Sequence, residues 1–159
     1  MAKNNRTPRI TISVIGGHEA NGETRNLAYA VGKKIAEAGA VLVCGGLNGV
    51  MSAAARGAKE AGGLTVGLLP GKEKKDANPY IDIALPTSIG YARNAIVACS
   101  ADIIVALPGS YGTSCEISYG LVYGRPVLDC GNWNVQGMIK VKNIDEVEAK
   151  IQEIIKSKK

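Results

Sequence analysis

Ala-Leu-Pro-Gly-Ser-Tyr-Gly-Thr-Ser-Cys-Glu-Ile-Ser-Tyr-Gly-Leu-Val-Tyr-Gly-Arg, residues 106–125, is the stretch that decides our interpretation of the fold. An apolar run at 102–107 predicts a buried parallel strand, and residues 114–123 have helical character. Gly109 and Gly112 between them are suited to positive φ. Because a helix that begins here directs free N–H groups and a positive dipole end at the glycine turn, the stretch predicts a site for an anion such as phosphate.

Two polar residues follow this glycine turn. Thr113 is predicted to N-cap the helix, and Glu116 is expected in its first turn, close to any ligand that the loop binds. A carboxylate near a helix N-terminus also stabilises the helix by electrostatics alone. A structural and a functional role for Glu116 are therefore both open at this point.

The same alternation of apolar strands and helices runs through the whole chain. It predicts a single domain at residues 1–159 with a Rossmann-like, doubly wound, mostly parallel α/β sheet, and a disordered tail at 1–8. The stretch at 70–79 is polar and predicts a mobile surface loop. Strands are predicted at 9–15, 40–44, 64–69, 81–85, 102–107, 126–129 and 137–141. Helices are predicted at 23–38 and 114–123, together with one that ends at 61, one that begins near 91 and one that follows 143.

Composition limits the classes of function. The net charge of +5 comes largely from basic residues at the termini and in one loop, without interleaved aromatic residues, which favours a role in solubility over nucleic-acid binding. Four widely spaced cysteines and one histidine form no metal or redox motif. No apolar stretch is long enough to span a bilayer and no signal-like segment begins the chain, so we expect a cytoplasmic protein with no membrane partner.

Two further glycine loops follow predicted strands. Gly16 and Gly17 end the first strand and place His18 at the ligand edge of the sheet, although the incomplete dinucleotide motif leaves His18 open to being a turn residue without a partner. Residues 45–51, with three glycines in five positions, can cradle an anion or simply make a tight turn. The lysine of a P-loop is missing, so we do not expect triphosphate hydrolysis.

Arg93 and Asn94 lie in the opening turn of the helix that begins near 91. An arginine at a helix N-terminus opposes the helix dipole, so this position indicates another task. We predict that Arg93 reaches a carboxylate or a phosphate across the pocket, and a solvent-exposed arginine is the alternative.

Three segments carry a resemblance to a known family. Gly45-Gly-Leu-Asn-Gly-Val-Met51, Arg93-Asn94 and Pro108-Gly-Ser-Tyr-Gly-Thr-Ser-Cys-Glu116 resemble the signature of the LONELY GUY and molybdenum-cofactor-carrier superfamily, formerly misnamed lysine decarboxylases. The chain departs from the pattern P-G-G-x-G-T-x-x-E at Ser110, where a serine fits if its φ is negative. The resemblance covers nearly the whole chain.

The resemblance and the glycine loops together imply a set of site residues. Arg93 and Glu116 would carry any catalysis, and no residue is expected to bind a metal. The expected ligand contacts are Gly16, Gly17, His18, Gly45, Gly46, Asn48, Gly49, Met51, Asn94, Pro108, Gly109, Ser110, Tyr111, Gly112 and Thr113.

The two branches of the superfamily imply different functions. Cytokinin-activating members hydrolyse the N-glycosidic bond of nucleoside 5′-monophosphates, usually with a lysine where this chain has Asn94. The short length and the segments at 92–96 and 101–102 are more similar to the carriers, which bind a phosphorylated pterin. The resemblance therefore implies binding of a phosphate-bearing nucleotide or pterin, including molybdopterin, without a required cofactor. A nucleoside 5′-monophosphate phosphoribohydrolase is the alternative, and a nucleic-acid-binding module is the third interpretation.

The resemblance also implies a homodimer or a higher homo-oligomer. Family members pair through helices that flank the site, and the helix at 114–123 offers Ile117, Gly120 and Leu121 for such a contact. Cys115 in the same helix is interpreted as a packing residue rather than a reactive thiol.

Overall fold

Seven strands within the described residues, 7–159, of this computed structural model form one parallel sheet in the order β4-β3-β2-β1-β5-β6-β7. The strands are β1 (Thr11–Ile15), β2 (Val41–Cys44), β3 (Thr65–Leu69), β4 (Ile83–Pro86), β5 (Ile103–Ala106), β6 (Val127–Asp129) and β7 (Ile139–Lys140). The helices are α1 (Gly22–Glu37), α2 (Val50–Glu60), α3 (Arg93–Cys99), α4 (Tyr111–Val122) and α5 (Ile144–Ser157). The predicted Rossmann-like α/β fold is confirmed. Most of the predicted disordered tail, residues 1–6, lies outside the described residues.

Helices cover both faces of the sheet because alternate strand residues point in opposite directions. On one face Ile12, Leu42 and Ile103 pack with α1, α2 and α5. On the other face Ile15 and Ile104 pack with α3 and α4. This arrangement is the predicted double winding. No helix in residues 7–159 is long and apolar enough to cross a membrane.

The strand order reverses at β1, which lies between β2 and β5. Strands β2, β3 and β4 extend to one side of β1, whereas β5, β6 and β7 extend to the other. In open parallel sheets the loops diverge at such a reversal and leave a crevice at the carboxyl ends of the strands. The fold therefore places a crevice beside the loops that follow β1, β2 and β5.

Two carboxylates at the opposite, amino-terminal edge of the sheet are engaged by neighbouring groups. Asp102 accepts hydrogen bonds from the N–H and the hydroxyl of Thr11, at 3.0 and 3.3 Å. Asp82 accepts the same pair from Thr65, at 3.0 and 3.2 Å, and lies 2.7 Å from the ammonium of Lys59. Burial alone would raise the pKa of Asp82, but the bonds from Lys59 and Thr65 outweigh it and lower that pKa below its usual value. These carboxylates have structural partners and need no ligand.

Candidate functional site

A crevice of about 500 Å³ opens at the carboxyl edge of the sheet. The loops after β1, β2, β3, β4 and β5 all contribute to it. Sequence-predicted residues in its lining are Gly16, Gly17, His18, Gly45, Met51, Arg93, Asn94, Ser110, Gly112, Thr113 and Glu116. The lining also contains Val14, Leu47, Pro70, Gly90 and Tyr91, which sequence reasoning missed. The predicted contacts that lie outside this lining are Gly46, Asn48, Gly49, Pro108, Gly109 and Tyr111.

The glycine loops touch one another directly behind the crevice. The N–H of Gly17 donates to the carbonyl of Pro108 at 2.8 Å, and the carbonyl of Gly17 accepts from the N–H of Val50 at 3.0 Å. A Cβ at Gly49, whose φ is +68°, would lie 2.3 Å from the carbonyl oxygen of His18. Because these backbone groups pair with each other, they hold the glycine loops together behind the crevice.

Gly109 and Gly112 do not have the positive φ that the sequence suggests. A Cβ at Gly109 would instead lie 2.1 Å from the hydroxyl oxygen of Thr113, and one at Gly112 would lie 3.2 Å from Nδ2 of Asn94. Close approach of neighbouring side chains, not backbone conformation, therefore favours glycine at both positions.

Helix α4 begins earlier than predicted. Ser110 occupies the N-cap position with φ −128° but makes no side-chain capping bond, so Thr113 is not the cap and lies inside the first turn. The negative φ of Ser110 shows how a serine replaces the usual family glycine. Glu116 consequently lies in the second turn, where stabilisation of the helix N-terminus no longer accounts for it.

The start of α4 leaves backbone donors open. Within residues 7–159, the N–H groups of Tyr111, Gly112 and Thr113 have no protein acceptor. Helix α2, which also begins at the crevice, has Gly49 as its N-cap and again no side-chain capping bond. Free N–H groups and the positive end of the dipole make such a start favourable for an anion.

Arg93 is buried, and its guanidinium is held by oxygen acceptors of the protein. Nε donates to the carbonyl of Leu68 at 2.8 Å, Nη2 donates to the carbonyl of Gly45 at 3.4 Å, and Nη1 donates to Oδ1 of Asn94. Burial lowers the pKa of Arg93, although the nearby Glu116 opposes this shift. The predicted reach of Arg93 across the pocket to a carboxylate is not observed, because the described residues contain no ion pair between Arg93 and Glu116 within 4.0 Å.

Glu116 lines the crevice and is only 6% exposed. Its carboxyl has no hydrogen-bond partner among residues 7–159. Burial raises the pKa of Glu116 to about 8, and the positive charge of Arg93 offsets only part of that effect. Burial without a partner therefore favours the uncharged form of Glu116.

Two further buried polar groups share this environment. Asn94 is 6% exposed and Thr113 is 4% exposed, and both line the crevice. Oδ1 of Asn94 accepts from Arg93, while its Nδ2 donors and the hydroxyl of Thr113 have no bond within the described part of the chain. In residues 7–159 the one buried side-chain polar atom without a partner is Nε of Arg125, so the unpaired polar atoms of Asn94, Thr113 and Glu116 open onto the crevice instead of being sealed in the core. They are available to a ligand or to water.

Asn78, in the stretch at 70–79 that is predicted to be a mobile loop, supports the glycine loop that follows β2. It is buried, its N–H donates to the carbonyl of Gly46 at 2.8 Å, and its Nδ2 donates to the carbonyl of Leu47 at 2.7 Å. The same segment contains a short 3₁₀ turn at Lys74–Asp76. The loop is thus tied to the glycine loop that follows β2, and a single asparagine before a proline gives no sequence signal for that contact.

The outer surface of α4 differs from the predicted pairing surface. Ile117 and Gly120 are buried in the core, and Leu121 packs against it, so these three residues are not available to a partner. Cys115, interpreted from the sequence as a packing residue, is exposed. The large apolar or aromatic residues that α3 and α4 expose are Ile96 (40%), Tyr111 (91%), Tyr119 (44%) and Val122 (77%), and Tyr123 (63%) follows directly after α4.

Residues 9–159 match the SLOG cluster4 family. The chain belongs to this family. An uncharacterized protein of Archaeoglobus fulgidus is 49% identical over 119 residues, which cover 74% of this chain and 78% of that protein.

Solved structures extend the comparison. The molybdenum cofactor binding protein of Rippkaea orientalis is 33% identical with a TM-score of 0.86, and the molybdenum cofactor carrier protein of Chlamydomonas reinhardtii is 28% identical with a TM-score of 0.86. Each comparison covers 94% of this chain and 99% of the other. These similarities confirm the superfamily that the three sequence segments indicate.

Proposed function

We propose that this protein binds a phosphate-bearing pterin or nucleotide in the crevice and acts as a carrier or sensor of that ligand. One observation carries the proposal. The open N-terminus of α4 and three buried polar groups without full partners, Asn94, Thr113 and Glu116, line the same cavity. The first feature suits a phosphate, and the second suits the polar part of the molecule that the phosphate belongs to. The names of the two cofactor-binding relatives agree with such a ligand.

The phosphoribohydrolase alternative is less well supported by the same geometry. Cleavage of an N-glycosidic bond builds positive charge on the ribose, and an ionised carboxylate stabilises that charge. Burial favours the uncharged form of Glu116, and the guanidinium of Arg93 already donates to three protein oxygens. We therefore rank binding without turnover ahead of hydrolysis.

In this proposal molybdenum cofactor is a cargo rather than a resident group of the protein. Its phosphate would lie on the N–H groups of 111–113, and its polar pterin would face Glu116 and Asn94. The described residues contain no group of three or more His, Cys, Asp or Glu that could hold a metal ion. The proposal thus assigns recognition to the phosphate and the pterin. A cytoplasmic setting is part of the proposal, since the four cysteines are unpaired.

The proposal is tested by removing one backbone donor from the start of α4. Tyr111 is the first helical residue and 91% exposed, and proline is tolerated at this position because it lacks only an N–H that the helix does not use. Nucleoside 5′-monophosphates and molybdopterin should raise the melting temperature of the natural protein, whereas the matching unphosphorylated nucleosides should not. The shift should be lost in Tyr111→Pro.

Matched variants separate the backbone donor from other effects. Gly22→Pro makes the same change at the first residue of α1, where a Cβ would meet nothing within 4 Å, and should keep the ligand shift. Tyr111→Ala, which keeps the N–H, should keep it as well. If no phosphorylated compound stabilises the protein, the proposed function is wrong.

Turnover is measured on the same panel as release of free base. We expect none above the spontaneous rate. Release that disappears in both Glu116→Gln and Arg93→Ala would reverse our ranking and favour the phosphoribohydrolase. Retention on an oligonucleotide column with a steep dependence on salt would instead favour the nucleic-acid interpretation.

The proposal includes a homodimer or higher homo-oligomer that forms through the exposed apolar residues of α3 and α4. Val122, at the end of α4, is 77% exposed. A Val122→Asp substitution should shift the mass measured by light scattering to that of a monomer, whereas Val135→Asp, at a 40% exposed valine outside α3 and α4, should leave the oligomer intact. A monomeric natural protein at micromolar concentration would contradict this part of the proposal.

A further inference from the structure

The crevice holds little positive charge that a ligand can use. Among its lining residues the cationic or potentially cationic side chains are Arg93 and His18. The guanidinium of Arg93 donates to Leu68, Gly45 and Asn94, and His18 is exposed at the mouth of the crevice. Recognition of a phosphate would therefore depend on backbone N–H groups of α4, with Glu116 one helical turn further along the same helix.

We propose that Glu116 meets the phosphorylated ligand as an uncharged carboxylic acid and donates a hydrogen bond to a ligand oxygen or ring nitrogen, so that loading requires one proton at this position. The inference rests on the proposed function and specifies how the site recognises its ligand. The proton comes from the solvent and leaves again when Glu116 ionises.

The geometry favours the uncharged form over a carboxylate. An ionised Glu116 would place a negative charge one turn from a phosphate dianion inside a cavity where water screens charges poorly, and this repulsion would weaken binding. The uncharged form removes the repulsion and adds an O–H donor beside the Nδ2 donors of Asn94. In agreement, burial raises the pKa of Glu116 to about 8.

The other charged or titratable groups around Glu116 do not replace it in this role. Arg93, from α3, keeps its charge, and this charge offsets only part of the rise that burial causes in the pKa of Glu116. Cys44, from β2, lies beneath the glycine loop, and burial raises the pKa of its thiol to about 11, so that this thiol stays uncharged. His18 and Tyr91 line the crevice from the loops after β1 and β4, and both are exposed.

Binding measured between pH 7 and 9 tests the inference, with adenosine and cytidine 5′-monophosphates as probes because neither base titrates in this range. Over this range the phosphate is already a dianion, because its second pKa is about 6, so a change in affinity reports on the protein. The affinity of the natural protein should fall about tenfold from pH 7 to pH 9, as Glu116 ionises. Calorimetry at pH 8 in two buffers of different ionisation enthalpy should show uptake of roughly half a proton per ligand bound.

Three variants locate the proton. Glu116→Gln keeps the size and a hydrogen-bond donor, so it should bind the probes with an affinity that does not change with pH and with no proton uptake. Glu19→Gln makes the same change at an exposed glutamate outside the crevice lining and should keep the natural slope. Cys115→Ser removes the exposed thiol next to Glu116 and should also keep it.

The possible outcomes distinguish this inference from the proposed function. Binding whose affinity is constant or rises from pH 7 to 9, or a slope that persists in Glu116→Gln, overturns the inference and leaves the proposed function standing. Failure of every phosphorylated compound to bind overturns both. Proton uptake by the natural protein supports the inference even if the Glu116→Gln variant does not fold.

Discussion

The two edges of the sheet differ in whether their carboxyl groups have partners within the protein. At the amino-terminal edge, Asp82 is surrounded by the ammonium of Lys59 and by two donors of Thr65. At the carboxyl edge, Glu116 is buried without a partner among the described residues. The first arrangement stabilises the charged form and the second the uncharged form. The difference shows that the amino-terminal edge satisfies its carboxylate within the protein, and it agrees with our proposal that the carboxyl edge binds a ligand.

The helix starts show the same contrast. Asn21 and Asn143 cap α1 and α5 by accepting a hydrogen bond from a first-turn N–H, at 2.8 and 2.9 Å. Gly49 and Ser110, at the starts of α2 and α4, make no such bond. The helices whose starts face the crevice are therefore the ones without a side-chain cap. At α4 the N–H groups of residues 111–113 stay open, as an anion site requires, whereas at α2 the first N–H, that of Val50, donates to the carbonyl of Gly17.

The largest expected effect on stability comes from replacing the ionisable carboxyl of Glu116 by an amide. Between pH 4.5 and about 8 the unfolded chain ionises this residue while the folded protein keeps it protonated, so the free energy of unfolding falls as pH rises. Glu116→Gln removes this loss and should be more stable than the natural protein, by up to roughly 4 kcal/mol at pH 8. Urea unfolding from pH 5 to 8 measures the difference, which should widen with pH. A constant difference would mean that Glu116 is charged in the folded protein.

A methyl group at Gly49 should disrupt the carboxyl edge. It would meet two backbone carbonyl oxygens at 2.3 and 2.4 Å and would occupy a φ of +68°. Gly49→Ala should lower the free energy of unfolding by about 3 kcal/mol. Gly62→Ala provides the control, because φ there is +79° but nothing lies within 4 Å of the new methyl group. Equal losses in the two variants would show that the glycine loops are not in direct contact.

Asp82→Asn should destabilise the folded protein, whereas Glu116→Gln should stabilise it. The substitution replaces a carboxylate, which Lys59 and Thr65 stabilise, by an uncharged amide. It should therefore lower the free energy of unfolding by about 1 kcal/mol at pH 7. Because the pKa of Asp82 is lowered in the folded protein, its contribution is present above the usual aspartate pKa and is lost as pH falls through the folded-state value. Unfolding curves at pH 7 and pH 3 test this, and a stabilised Asp82→Asn would remove the contrast between the two edges.

The smallest effect concerns the helix caps. Asn143→Ala removes a capping bond and should cost about 1 kcal/mol, whereas Ser110→Ala removes none and should be nearly neutral. Thermal unfolding of both variants without ligand measures the difference. If Ser110→Ala were as destabilising as Asn143→Ala, the start of α4 would be capped by its own serine rather than open.

The sequence predicts the carboxyl-edge crevice well because its signals are local. Apolar strands followed by glycines locate the loops, and parallel strands bring those loops to one edge of the sheet. The sequence prediction of where α4 begins is wrong, because Thr113 is expected from the sequence to cap the helix. In the structure Thr113 lies within the first turn and its hydroxyl is close to Gly109. The partners of Arg93 and the contacts of Asn78 depend on carbonyl groups that are distant in sequence, and backbone carbonyls leave no trace in residue identity.

The most direct test of the central claim is a titration with adenosine 5′-monophosphate monitored by amide resonances in two-dimensional nuclear magnetic resonance. We predict that the N–H signals of Tyr111, Gly112 and Thr113 move strongly downfield with a common affinity, because the phosphate accepts hydrogen bonds from them. The first-turn signals of α5, beyond Asn143, should not move. Saturable shifts elsewhere, with residues 111–113 unchanged, would contradict the claim that the open start of α4 is the phosphate site.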